Sequence, residues 1–99
     1  MTPLLVSEFA SLELAEAVRW YEERQRGLGA RLFDAVARTF DTIERYPEAG
    51  SPRRSRPAAR QLTVRGFPYV VVYRVRPKDV YVVAVAHAKR RPEYWKDRP

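Results

Sequence analysis

The sequence predicts an α+β domain in which an N-terminal helical hairpin packs on a small antiparallel β-sheet. Three observations carry this. Two stretches before Pro47 repeat apolar residues at helical spacing. Two apolar runs, Phe67–Val75 and Val80–His87, follow on either side of the turn Arg76-Pro77-Lys78-Asp79. A chain of 99 residues with 45% hydrophobic content suits one domain, 1–99, with one modest core.

Taken in order, Leu4-Leu5-Val6 is a short apolar run suited to an edge strand. Ser7 suits a helix N-cap, and Glu8 is favourable in the first turn. From Glu8 to about Arg26 a stripe of Ala10, Leu14, Ala17, Val18 and Tyr21 marks the first helix. Trp20 and Tyr21 sit on or beside that stripe and are expected in the core. Gly27 is the expected C-cap. The second helix, roughly Ala30 to Tyr46, carries Leu32, Phe33, Val36, Phe40 and Ile43 inward. Pro47 stops it, having no amide to donate and disfavouring helix in the residue before it. So short a linker makes the two helices an antiparallel hairpin.

Glu48 to Ala58 reads as a loop rich in proline and arginine. Arg60–Arg65 alternates, with Leu62 and Val64 on one face, and reads as a strand wetted on the other. In Phe67–Val75, Tyr69, Val71, Tyr73 and Val75 share a face, while Val70 and Val72 make the opposite face apolar too, as in a central strand. Strict alternation in the last strand places Val80, Val82, Ala84 and Ala86 together and Tyr81, Val83, Val85 and His87 opposite. With the helices on one sheet face, Arg74 and His87 fall on the other, partly open one.

Composition excludes several chemistries. With no cysteine there is no disulfide, thiol nucleophile or thiolate-held metal, which fits a reducing cytoplasm. With one histidine a zinc site is not expected, and the chain implies no cofactor. The four scattered glycines form no phosphate loop, and no serine lies in a nucleophile elbow. No signal-peptide pattern is visible, and no apolar run approaches the ~20 residues of a membrane span.

The net charge of +7 is unevenly placed. Residues 1–50 hold six arginines and nine acids; residues 51–99 hold thirteen cations and three acids. The two halves are therefore −3 and +10. Such polarity suits an anionic partner for the C-terminal half, whether nucleic acid or an acidic protein. Genomic base composition and solubility account for arginine abundance, and for this asymmetry less well. Glu13, Glu16, Glu22 and Glu23 read as solvated, or paired with Arg19 and Arg26. His87 has the right chemistry for a general base, yet a lone histidine at a strand end more often makes a structural hydrogen bond. Arg60, Arg65, Arg74, Lys89, Arg90 and Arg91 interleave with Tyr94 and Trp95, a mixture that grips RNA or an acidic protein segment alike. Trp95 either folds back to close the core or meets the partner.

His87-x-x-Arg90-x-Pro92-x-Tyr94-Trp95 resembles the C-terminal motif of the ParE branch of the ParE/RelE toxin superfamily, the plasmid-stabilisation proteins. Ala17-x-x-Trp20-Tyr21-Glu22 resembles its first helix, Gly27-Leu28-Gly29-x-x-x-Phe33 its helix–helix turn, and Phe67-Pro68-Tyr69-x-x-x-Tyr73 its central strand. The four pieces fall in the family's order over roughly residues 5–97. The resemblance implies a helical hairpin on an antiparallel sheet, which periodicity gives independently. It also implies a bacterial type II toxin–antitoxin system whose toxin is held by an acidic antitoxin protein. ParE-like members poison DNA gyrase; RelE-like members cut mRNA on the ribosome with basic sheet residues and a C-terminal tyrosine. As a ribonuclease this chain would use Arg60, Arg65, Arg90 and Tyr94. The RelE pattern wants lysines on the strand that here reads Arg60-Gln61-Leu62-Thr63-Val64, and an arginine where Val70 stands. Cleavage by 2′-hydroxyl attack needs a base, an acid and cations, and two of these roles look vacant. The expectation is a cytoplasmic, non-nucleolytic, gyrase-directed toxin that touches its partner through Arg74, His87, Arg90, Tyr94 and Trp95. The alternatives are a RelE-like endoribonuclease, with RNA or the ribosome as partner, and a non-toxic relative that only binds an antitoxin.

Overall fold

A computed structural model describes residues 2–53 and 58–99. The elements run β1 (Leu4–Val6), α1 (Glu8–Arg24), α2 (Leu28–Arg45), β2 (Ser51–Pro52), β3 (Ala59–Thr63), β4 (Tyr69–Val75) and β5 (Val80–His87). The strands form one sheet in the order β1-β5-β4-β3-β2. Helical hairpin and meander are as expected, but the sheet is mixed. β1 pairs parallel with β5, Leu4 opposite Val80 and Val6 opposite Val82.

Ser7 caps α1 as its side chain predicts. Its backbone is extended (φ −64°, ψ 158°) and its hydroxyl accepts from Ala10 N at 3.1 Å. The turn between the helices differs from expectation. α1 ends at Arg24, and Gly27, at φ 87°, is the N-cap of α2, not the C-cap of α1. Only glycine adopts that left-handed geometry cheaply. Lacking a side chain, Gly27 cannot cap α2, and Glu22 does so instead. Its carboxylate accepts from Gly27 N and, at 3.0 Å, from Gly29 N. A Cβ on Gly29 would lie 2.6 Å from the Val18 carbonyl, so this glycine sets how closely the helices meet.

Two helix assignments are corrected. Trp20 is 49% exposed and Phe33 53% exposed. Each lies one residue, about 100° of helix turn, from the inward Tyr21 and Leu32. α2 instead buries Ala35 and Thr39 beside Leu32, Val36 and Ile43. The expected Glu48–Ala58 loop contains β2, whose two residues extend the sheet beyond β3; residues 54–57 of that stretch lie outside the described residues.

The core lies on both sheet faces. The helix side gathers Ala10, Ala17, Leu32, Val36, Val71, Tyr73, Val82 and Val85. The far side gathers Ala59, Val72, Val83, Ala84, Ala86 and Trp95. This division breaks strict alternation in β5. Val72 pairs with Ala84 but Tyr73 with Val82, so Val83 is an extra residue, a β-bulge. Beyond it the faces invert. Val85 turns to the helices and Ala84 away, and His87 comes to the helix side, where its ring meets Tyr69 edge-on at 5.1 Å.

Tyr73 is fully buried and joins the sheet to the α2–β2 connection. Its hydroxyl donates to Pro47 O and accepts from Gly50 N, both at 2.8 Å. A Cβ on Gly50 would come within 2.5 Å of that hydroxyl. Tyr73→Phe orphans a buried amide and a carbonyl, and is expected to cost about 1–3 kcal/mol, read as a lower urea midpoint with an unchanged m-value.

Candidate functional site

The chain after β5 folds as successive turns across one end of the sheet. Ala88 N donates to Pro68 O, Arg90 N to His87 O, Lys96 N to Glu93 O and Arg98 N to Trp95 O. Glu93 has a positive φ of 58°, a geometry uncommon outside glycine. The next two side chains then diverge. Trp95 enters the far-side core at 2% exposure, while Tyr94 reaches toward α1.

On α1 the tail meets Glu13. Tyr94 OH donates to Glu13 Oε2 at 2.5 Å, and Arg98 forks onto both carboxylate oxygens at 3.0 Å. Val85 N donates to Glu13 Oε1 at 3.0 Å, and Arg98 donates to Val83 O at 3.1 Å. β1 pairs with β5 only as far as Val82, so these two side chains satisfy the strand edge that β1 leaves bare. Glu13 is therefore not solvated, and its partner is Arg98 rather than Arg19 or Arg26. Burial, then the hydrogen bond to Glu13, pushes the Tyr94 phenol well above its usual pKa of 10.0.

Between α1 and the tail lies a cleft of about 290 Å³. Trp20 and Tyr21 from α1, Tyr69 from β4, His87 from the end of β5, and Arg90 and Tyr94 from the tail line it. The Arg90 guanidinium stacks 3.9 Å from the Tyr94 ring, and Arg24 stacks 3.6 Å from Trp20. Tyr69 is also raised in pKa, by burial first and by Tyr21 second.

The residues singled out in the sequence fall into separate places. His87, Arg90 and Tyr94 meet in this cleft. Arg74 donates to Arg98 O at 3.4 Å, and Trp95 is core. Arg60 is held by the carbonyls of Gly50 (2.7 Å) and Glu48 (3.3 Å). Arg65 lines a different groove, between α2 and β3. Among the described residues no cluster of three or more acids or histidines is placed to hold a metal. Sequence reasoning missed Glu13 and Arg98. A signal for Glu13 was present: three residues after Ala10 and four before Ala17, it sits on the buried face. Arg98 carried no such signal.

Residues 4–92 match the family described as the ParE toxin of the type II toxin–antitoxin system parDE. The chain belongs to the ParE toxin family. Among solved structures it is similar to a chain of the chromosomal ParDE toxin–antitoxin system from P. aeruginosa, with a TM-score of 0.76 at 17% identity, covering 90% of this chain and 98% of that one. At that identity the likeness is one of fold. None of the curated proteins matches. The family match includes His87 and Arg90 and ends before Tyr94, Trp95 and Arg98, so the contacts that fasten the tail to Glu13 lie at and beyond its limit.

Proposed function

We propose that this chain is the toxin of its type II system, that it acts in the cytoplasm on DNA gyrase without cutting RNA, and that an acidic antitoxin neutralises it. The observation that carries the non-nucleolytic reading is the state of Tyr94. Its one proton is committed to Glu13, and burial opposes phenolate, so it serves poorly as acid or base. Arg60 spends its guanidinium on backbone carbonyls, and Arg65 stands apart from the cleft. Of the three arginines a ribonuclease would use, Arg90 alone lies on Tyr94, and a phosphorane would lack the other two. The reading of an acidic partner rests on the +10 C-terminal half together with exposed apolar side chains on the hairpin, Leu12 and Phe33 among them. These suit a segment that is acidic on one side, apolar on the other and ordered on binding.

Primer extension on translated mRNA tests the reaction class. Expression is expected to arrest growth with no codon-phased 5′ ends, and Tyr94→Phe is expected to arrest growth as the parent does. Codon-phased cuts that vanish in Tyr94→Phe and Arg90→Ala would instead make the chain a ribonuclease.

A further inference from the structure

We propose that the cleft between α1 and the tail is a carboxylate-binding site, the seat of one acidic side chain of a protein partner, with His87 and Arg90 as its donors. This rests on the reading above that the partners of the chain are proteins.

The argument is one of donors and acceptors. Two carboxylates line the cleft, and Glu13 is spent. Its two oxygens already take Val85 N, Tyr94 OH and both forks of Arg98. Its charge is balanced by Arg98, so it neither draws a cation nor strongly repels an anion. Glu16 is exposed. The donors are free and oriented. His87 Nδ1 accepts from Lys89 N at 3.0 Å, which leaves the ring proton on Nε2. The edge contact with Tyr69 holds the ring in place. Arg90 uses the face of its guanidinium against Tyr94, and stacking leaves the N–H groups in its plane available. Among the described residues no side-chain acceptor holds them. Trp20, Tyr21 and Tyr69 give the cleft an aromatic wall opposite these donors. Arg24, stacked on Trp20, adds a further cation at the rim of the cleft.

A guanidinium fork and an imidazole N–H match a carboxylate, which is planar and takes two donors side by side. Nucleic acid fits less well. Single-stranded recognition needs open aromatic faces for bases. Here Arg24 covers Trp20, and Tyr94 has Arg90 at 3.9 Å and Arg98 at 5.0 Å. A side chain entering a space of about 290 Å³ brings one carboxylate past Glu16, whereas a phosphodiester chain must run along it.

The test is an NMR titration of the ¹⁵N-labelled chain, reading the His87 imidazole and the Arg90 Nε–H. N-acetylglutamate N-methylamide is expected to shift both signals saturably in the millimolar range. The matching glutamine compound is expected to bind at least about tenfold more weakly, and Arg90→Lys to weaken the glutamate compound about fivefold. No saturable shift, an equal response to the glutamine compound, or tighter binding of an eight-nucleotide oligouridylate at the same signals would overturn the proposal. The comparison of the glutamate and glutamine compounds uses the unmutated chain, so misfolding of the Arg90→Lys variant cannot decide it. It is also independent of the cellular target. Failure here with gyrase still inhibited removes the cleft proposal alone, and success here without inhibition removes the gyrase reading alone.

Discussion

Trp95→Ala is expected to lower the free energy of unfolding by about 3–5 kcal/mol, as large aromatic truncations in cores do. The indole lies on Ala59, Val72, Val83, Ala84 and Ala86, a trough of small residues that only a large side chain fills. At 2% exposure it is the largest side chain on that face of the sheet, and the trough cannot collapse inward because the strand backbones form its floor. Removal leaves a cavity and wets the far side of β4 and β5. A domain of this size has only about 5–15 kcal/mol in hand, so the variant should be largely unfolded at moderate urea. Trp20→Ala is the control. Its ring is half exposed, and about 1 kcal/mol is expected from lost stacking with Arg24 and Tyr21. Urea midpoints of the two variants check this, and a Trp95 loss no larger than that at Trp20 would mean that the tail does not form part of the core.

Glu13→Ala should come next, at about 2–3 kcal/mol. The substitution strands Arg98, the Tyr94 hydroxyl and the Val85 amide together, and all three contacts are part-buried. The lower figure, compared with a fully buried pair, reflects side chains that are still 16–17% exposed. Glu13→Gln keeps acceptor geometry on one oxygen and should fall between. The contribution of Tyr94 also fixes a sign. Its phenol holds its proton in the folded chain above the point where a free phenol loses it. The stability it lends is whole below about pH 10 and declines as pH rises beyond that. Thermal midpoints across pH 8–11 should fall less steeply in Tyr94→Phe.

The sequence made the body of the fold legible because its periods differ. Ala10, Leu14, Ala17 and Tyr21 repeat at helical spacing, and Pro47 and Gly27 punctuate the hairpin. Leu4–Val6 was visible as a strand, but its parallel pairing was not, because three residues carry no register. The bulge at Val83 was hidden for a chemical reason. Val82, Val83, Ala84 and Val85 are all small and apolar, so no polar residue marks where alternation slips. His87 was consequently assigned to the wrong face. In the site, Arg90 and Tyr94 were readable from residue type and spacing. Their meeting with α1 depends on Glu13 and Arg98, 85 positions apart in sequence, and no local pattern encodes such a pair. For Trp95 the sequence does not separate core from partner, because an aromatic residue after a proline turn suits both. Glu93 settles its direction by turning the chain at a positive φ.

Gyrase supercoiling tests the central claim most directly. Relaxed plasmid, purified gyrase and ATP are incubated with increasing amounts of the chain, and topoisomers are resolved on a gel. Loss of the supercoiled product in proportion to added chain is the expected result, with Tyr94→Phe as potent as the parent because its hydroxyl is hydrogen-bonded to Glu13. Supercoiling that proceeds untouched at saturating amounts of folded chain would contradict it.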